Sequence, residues 1–421
     1  LTRLYLDRLH AFDRVLRCVV TFTDDLALRQ AREADAELAA GRYRGPLHGI
    51  PWGAKDLIAV PGYKTTWGAV PFRDQQLEQT ATVAARLEQA GAVLVAKLSL
   101  GALAWGDGWF GGQTRNPWDP ATGSSGSSAG SASATAAGLV GFALGSETLG
   151  SIISPCRVCG CTGLRPTFGR ISRHGCMSLA WSMDKLGPIT RCVEDAALVF
   201  DALYGSDGLD PTVVDRPFSW PCPRDIRSLR VGYFEPEGSS PPELDILSQL
   251  GVSLVPIRLP EGLPVGALTI ILDAEATAVF DGLVREGKLE GTGLWPNSFR
   301  RGELLPAVEY LRANRIRTRL MEQMRELMAT VDLYVGGDDL TITNLTGHPT
   351  VILPVGVNET AAGRRPRMLT FTGQLYGESE LLALALAYER AIAVDVRPDM
   401  SRVRDWQDPA PPASPDPAKP T

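Results

Sequence analysis

The run Gly123–Ser131, GSSGSSAGS, gathers five serines and three glycines immediately before the small-residue segment AGSASATAAGLV. Hydroxyls and backbone N–H groups presented at a helix N-terminus suit an anionic centre. Taken alone, such a run reads just as well as a flexible linker. Its place between NPWDP and a helix-forming segment, inside a domain rather than between two, favours a site. A phosphate loop is excluded because GxxxxGK[ST] is absent. The stretch GSSAG, Gly126 to Gly130, fits the loose GxSxG elbow with Ser128 at its centre. That elbow requires a strand before it and a histidine partner elsewhere.

A serine nucleophile needs a base. The chain has four histidines, His10, His48, His174 and His348, each flanked by loop or helix residues without a clear acidic partner. His48 in GPLHGIP and His348 in LTGHPTV read as packing or backbone-bonding residues. Lysine serves instead when burial depresses its pKa from about 10.4 toward roughly 7–8, since desolvation disfavours the ammonium form. Lys55 sits among small and apolar residues in HGIPWGAKDLIAV. The adjacent Asp56 is either its ion-pair partner or an unrelated charge.

The elements that must position these residues follow from periodicity. The segment from Thr23 to Gly41 offers a capping residue, early acids and a terminal glycine, and predicts a helix. Thr80 to Ala90 predicts another, stopped by Gly91, with AVLVAKL after it as a buried strand. The stretch from Ala129 to Gly145 reads as a small-residue helix and then a buried strand. Later come VEDAALVFDALYG as a helix, LRVGYF as a strand, and a long helix from Leu305 to Val331 before the strand DLYVGG. This alternation predicts an α/β fold. Proline-rich loops at 205–223 and 236–242 read as excursions within one domain, 1–396, and 397–421 reads as a proline-rich tail. No solenoid repeat is found. Arg364, Arg365 and Arg367, beside Gly363 and Pro366, read as an exposed loop.

Composition narrows the class. Of 421 residues, 44% are hydrophobic and 21% charged, with a net charge of −6 and no long basic block. A large core is expected, and nucleic acid is not an expected ligand. The most apolar stretch, Ala129 to Gly145, is too polar and too short for the roughly 20 residues of a membrane span. Seven cysteines without a regular framework fit a reducing compartment, so a cytoplasmic location is expected. The chain opens Leu1-Thr2-Arg3 with no charged-then-apolar signal pattern, and targeting upstream stays open.

Seven pieces appear in order: GPLHGIPWGAKDLIAVPGYKTTWG, TATVAARLEQAGAVLVAKL, TRNPWDP, SGSSAGS, LGSETLGSI, CGCTGLRPTFGRIS and DKLGPITRCVEDAALVFDAL. Together they resemble the amidase signature hydrolases, strongly over about 45–205 and more loosely elsewhere. The resemblance implies a large mixed sheet with helices on both faces. It implies Lys55 as catalytic lysine, Ser127 as relay serine after a cis peptide bond to Gly126, and Ser151 as acylated nucleophile. Ser127 and Ser151 lie 24 residues apart, the family's spacing. Ser128 is one residue short of it and ranks as a local hydrogen-bonding residue. No cofactor is implied.

In that scheme neutral Lys55 draws a proton through Ser127 from Ser151 as its oxygen attacks the carbonyl, and then returns it to the leaving amine. The turn Thr148-Leu149-Gly150-Ser151 is the expected oxyanion hole, through backbone N–H groups. Most relatives carry Asp-Thr-Gly-Gly-Ser-Ile-Arg where this chain has Glu147-Thr148-Leu149-Gly150-Ser151-Ile152-Ile153. The amides survive at Leu149 if its φ stays negative. Arginine replaced by Ile153 removes a charge near the site. Cys156, Cys159 and Cys161 are in CxxCxC order, yet no fourth ligand is assigned and core packing is the expected role. Trp105, Trp109 and Phe110 either line an aromatic substrate pocket or belong to the core.

The resulting expectation is hydrolysis of an amide, carbamate or ester with a small neutral apolar or aryl substrate, through an acyl-enzyme. Two alternatives stand beside it. One is an ammonia-producing amidotransferase subunit with partner proteins. The other is a degenerate scaffold that binds partners only, motivated by Leu149 and Ile153.

Overall fold

The computed structural model describes residues 1–236, 241–337, 339–360 and 363–407. Eleven strands make one sheet: β1 (Val19–Phe22), β2 (Pro51–Lys55), β3 (Val93–Leu98), β4 (Phe142–Glu147), β5 (Thr162–Arg165), β6 (Lys185–Thr190), β7 (Arg230–Tyr233), β8 (Ser253–Pro256), β9 (Leu333–Val335), β10 (Thr350–Thr360) and β11 (Gly363–Gly373). Their spatial order is β1-β3-β2-β4-β6-β5-β10-β11-β9-β7-β8. Both senses of pairing occur: β2 runs parallel to β3 and β4, whereas β4–β6, β6–β5, β5–β10, β10–β11 and β11–β9 are antiparallel. This is the large mixed α/β sheet expected.

Helices form where the periodicity placed them: Asp24–Ala39, Thr82–Gln89, Ala129–Ala136, Val193–Leu203 and Ala307–Met328. Strands β2 and β3 are buried at every position, which is why they read as continuous apolar runs without alternation. The helix Ala129–Ala136 is wholly buried except at its last residue, and only small side chains permit that depth between sheet and neighbouring helices. Among the described residues no helix is long and apolar enough to cross a membrane.

Four expectations change. Thr23 does not cap its helix; its hydroxyl donates to the Leu94 carbonyl at 2.7 Å, tying the helix start to β3. Arg364, Arg365 and Arg367 are not in a loop but in β11, which extends as a long hairpin with β10. There they are paired: Arg364 with Glu359, its register partner, at 3.2 Å, Arg365 with Asp119 at 2.9 Å, and Arg367 with Glu243. Within the span expected as a tail from 397, Asp399 caps a helix Met400–Arg404 whose Val403 is buried against the N-terminal helix cluster. The final segment 408–421 lies outside the described residues, as does most of the predicted loop 236–242. Asp56 is the fourth case. It lies in the turn that follows β2 and pairs with Lys97 Nζ at 2.7 Å rather than with Lys55, accepting also from the Thr66 amide at 2.9 Å.

Candidate active site

Strands β2 and β4 are parallel neighbours, with Trp52, Gly53 and Ala54 opposite Phe142, Ala143 and Leu144. Their C-terminal ends therefore open at one edge of the sheet, the place where α/β folds gather ligand groups. Lys55 ends β2. Ser151 lies in the turn that follows β4. Ser127 and Ser128 lead into the helix Ala129–Ala136.

Lys55 is fully buried. Its Nζ lies within hydrogen-bonding distance of Ser127 Oγ at 2.8 Å, Ser146 Oγ at 2.9 Å, Ser128 Oγ at 3.0 Å and the Ser146 carbonyl at 3.3 Å. Burial drives its pKa well below the ordinary lysine range, and the negative charges of Glu147 and Asp184 oppose this only in part. A buried amine surrounded by hydroxyls is poised as a proton acceptor rather than as a charge.

The two adjacent serines differ in what they face. Ser128 Oγ donates to the Ser146 carbonyl and accepts from the Ser146 amide, both at 3.1 Å, which locks it against β4. Ser127 Oγ faces a cavity of about 400 Å³ that Ser151 also lines. The Gly126–Ser127 peptide bond is cis, as the resemblance implies. The Ser128 amide donates to the Ser151 carbonyl at 3.1 Å, joining the two serine segments. Among the described residues Ser151 Oγ makes no side-chain hydrogen bond, so its hydroxyl rotor is unrestrained.

The turn from Thr148 to Ser151 is held from both sides. Thr148 Oγ1 donates to Asp184 at 2.6 Å, and Asp184 also accepts from the amides of Leu179 and Ala180. At the far end, the Glu147 carboxylate accepts from the amides of Ile152 at 2.8 Å and Ile153 at 2.9 Å. Gly150 has φ +94°, a conformation an L side chain rarely adopts, whereas Leu149 is not among the residues with positive φ. The Gly-to-Leu difference at 149 therefore leaves the backbone undisturbed. Among the described residues the amides of Leu149, Gly150 and Ser151 have no protein acceptor, and three unspent donors at one turn are what a developing oxyanion requires.

Glu147 is itself clamped by Arg165 at 2.8 Å and by the Asn344 amide at 2.8 Å, all three side chains being buried. Burial alone would raise its pKa; Arg165, Lys185 and the Ile153 amide outweigh that and hold it below the usual value. Removing one member of a buried ion pair leaves the other uncompensated, at a cost of about 3–5 kcal/mol. Glu147→Gln is thus expected to lower unfolding stability by about that amount in urea titration. An unchanged midpoint would show that the pair does not support the turn.

Several predicted residues fall elsewhere. Trp109 and Phe110 do not line the cavity; the hairpin Gly108–Gln113 turns them onto each other, ring centroids 4.9 Å apart, with Arg73 over Phe110. Of the three aromatics only Trp105 faces it, packed edge-on to Trp295 at 4.8 Å. Ile153 is buried in an apolar cluster with Ala132 and the three cysteines, so its side chain is not at the cavity. Burial holds the Cys156 and Cys159 thiols protonated. Two histidines do have acidic neighbours, His10 with Asp24 at 2.8 Å and His48 with Glu37 at 3.2 Å, but no histidine lines the cavity. His348 bonds the Thr346 hydroxyl, and burial lowers its pKa to about 4.

Sequence reasoning missed Asp107, Ser154, Leu179, Leu272 and Trp295, all on the cavity wall. Trp295 and Leu272 lie in helices with no motif around them, and only packing brings them to β4. Asp184 and Arg165 had a usable signal: each is a charged residue inside an otherwise apolar buried strand or its approach.

The sequence profile of the amidase family matches residues 1–337. A glutamyl-tRNA(Gln) amidotransferase subunit of Roseiflexus sp. (strain RS-1) is 34% identical over 454 residues, covering 93% of this chain and 92% of its own length. The native peptide amidase from Stenotrophomonas maltophilia superposes with TM-score 0.83 at 29% identity, covering 95% of this chain and 94% of that one. The corresponding glutamyl-tRNA(Gln) amidotransferase subunit of Thermotoga maritima superposes with TM-score 0.72 at 25% identity, over 93% and 91% of the two chains.

Proposed function

The chain belongs to the amidase family and is a hydrolase of carbon–nitrogen bonds, and from this premise we propose that it cleaves small amides, and related carbamates or esters, with an apolar or aryl body through an acyl-enzyme on Ser151. The observation that carries this reading is the fully buried Lys55, 2.8 Å from a Ser127 hydroxyl that shares its cavity with Ser151. Lys55, neutral, accepts the Ser127 proton as Ser127 takes that of Ser151. Ser151 Oγ then bonds to the carbonyl carbon while the amides of Leu149, Gly150 and Ser151 receive the oxyanion. The proton returns by the same route to the leaving nitrogen, and water repeats the sequence to release the acid. The relay requires Ser151 Oγ to reach Ser127 Oγ, a catalytic hydrogen bond of the kind that often forms fully only in the substrate complex. The aromatic and aliphatic wall of Trp105, Trp295, Leu149, Leu179 and Leu272 supports an apolar or aryl substrate.

The test is a fluorophosphonate probe followed by peptide mass spectrometry, with a panel of amides, carbamates and esters run in parallel. An adduct on Ser151 with turnover of an aryl amide is expected. A protein that takes no adduct and cleaves nothing is the scaffold that only binds partners. Ser127→Ala is expected to lower kcat by about 10²–10⁴-fold with the Ser151 adduct still slowly formed. Unchanged kcat would hand the relay to Ser128 or to water.

A second reading is favoured by the 34% identity to an amidotransferase component. It has this chain release ammonia from glutamine and pass it to partner proteins. Glutamine hydrolysis faster than that of any aryl amide, with a stable protein complex recovered from native extract, would establish it.

A further inference from the structure

Among the described residues Asp107 is the only ionisable side chain lining the cavity that holds Ser151. It stands between Trp105 and the hairpin Gly108–Gln113. Its Oδ1 accepts from Gln113 Nε2 at 3.1 Å, and its Oδ2 from the Ser125 amide at 3.0 Å. Gly123 makes room for it, because a Cβ there would stand 2.0 Å from Asp107 Oδ2. A carboxylate offers about four lone-pair sites. Two are used here, both by neutral donors. Among the described residues no Lys, Arg or His forms an ion pair with it, whereas Asp210, Asp332, Asp119 and Glu243 each have an arginine.

We propose that Asp107 determines specificity by receiving an ammonium or comparable cationic N–H group of the substrate, whose apolar or aryl body lies against Trp105 and Trp295. The proposal rests on the acyl-enzyme reading above and names the substrate class for that same cavity. An ionised N–H donor to a carboxylate makes a stronger bond than a neutral one. An indole on the same wall can attract the same charge, and Trp105, which lines the cavity, is 39% exposed. A carboxylate-bearing substrate would meet an uncompensated like charge. The class implied is an amide, carbamate or ester of an aryl or alkyl acid that carries an amine at the end remote from the scissile carbonyl. At this one end the substrate is charged, in place of the wholly neutral molecule expected from sequence.

The experiment compares 4-(aminomethyl)benzamide, 4-ethylbenzamide and 4-(carboxymethyl)benzamide, which share the scissile amide and nearly the same shape. kcat/KM for the ammonium amide is expected to exceed that for the ethyl amide by about tenfold, mainly through KM, with the carboxylate poorest. In Asp107→Asn that ratio should fall to near one, and in Asp107→Glu it should partly return. Equal kcat/KM for the ammonium and ethyl amides in the parent protein overturns the proposal. So does a ratio that survives Asp107→Asn, or a variant that loses kcat equally on all three, which would make Asp107 only a support for Ser125. If none of the three is hydrolysed, the acyl-enzyme reading fails separately, and calorimetric binding to Ser151→Ala decides the Asp107 question. Tighter binding of the ammonium amide supports it, and equal binding overturns it.

Discussion

Ser151→Ala is expected to lower kcat on an aryl amide by about 10⁵-fold or more, with KM little changed and the fluorophosphonate adduct gone. The reasoning is geometric. Ser151 stands at the end of the turn whose three amides lack a protein acceptor, so a carbonyl bound there places its carbon against this oxygen. Ser154, Ser127 and Thr148 also line the cavity. Thr148 gives its hydroxyl to Asp184, which removes it as a rival nucleophile. Ser127 is engaged by Lys55 at 2.8 Å, which suits it to relay a proton rather than to attack. Retention of more than a few per cent of activity in Ser151→Ala would move the nucleophile to Ser127 or Ser154 and undo the mechanism.

Lys55→Ala is expected to cost about 10²–10⁴-fold in kcat and to abolish the acidic limb of the pH profile. The sign follows from the direction of the shift. Burial holds the lysine pKa well below its usual range, so the neutral, proton-accepting form predominates above that lowered value. Activity is then present at higher pH and is lost as pH falls through it and the amine takes a proton. Lys55→Arg should not rescue, because guanidinium stays charged. A second buried lysine needs a control. Burial and the nearby Arg165 push Lys185 down to about 7, and its Nζ donates to the Met183 carbonyl. It does not line the cavity of Ser151. An acidic limb that persists in Lys55→Ala but disappears in Lys185→Met would transfer the titration to Lys185 and contradict Lys55 as base.

That Lys55, Ser127 and Ser128 would meet was legible because a motif is a local record. Lys55 lies among small and apolar residues in HGIPWGAKDLIAV, and the serines sit in glycine-rich turns whose order and spacing match a known pattern. The same local logic gave the helices and strands flanking them, since hydrophobic period and capping residues act over a few positions. It gave out where distance mattered. Whether Asp56 partners Lys55 was left open by the sequence, and it is Lys97, from the neighbouring strand, that pairs with it. Trp109 and Phe110 looked like pocket walls, yet a hairpin, Gly108–Gln113, turned them away.

Two levels of information thus meet at one cavity. Residue order alone pointed to an α/β fold and an amidase-type hydrolase with a lysine and two serines at set spacings, because each belongs to a short segment whose conformation its own residues dictate. The tertiary structure alone decided what the site can receive. Trp105, Leu272 and Trp295 come from segments far apart in the chain, and that no Lys, Arg or His among the described residues forms an ion pair with Asp107 is seen only in the packed structure. Burial and pairing are properties of the packed whole, and so is the depressed pKa of Lys55, which comes from the sheet and the serine-rich turn closing around one amine and which the acids Glu147 and Asp184 only partly offset.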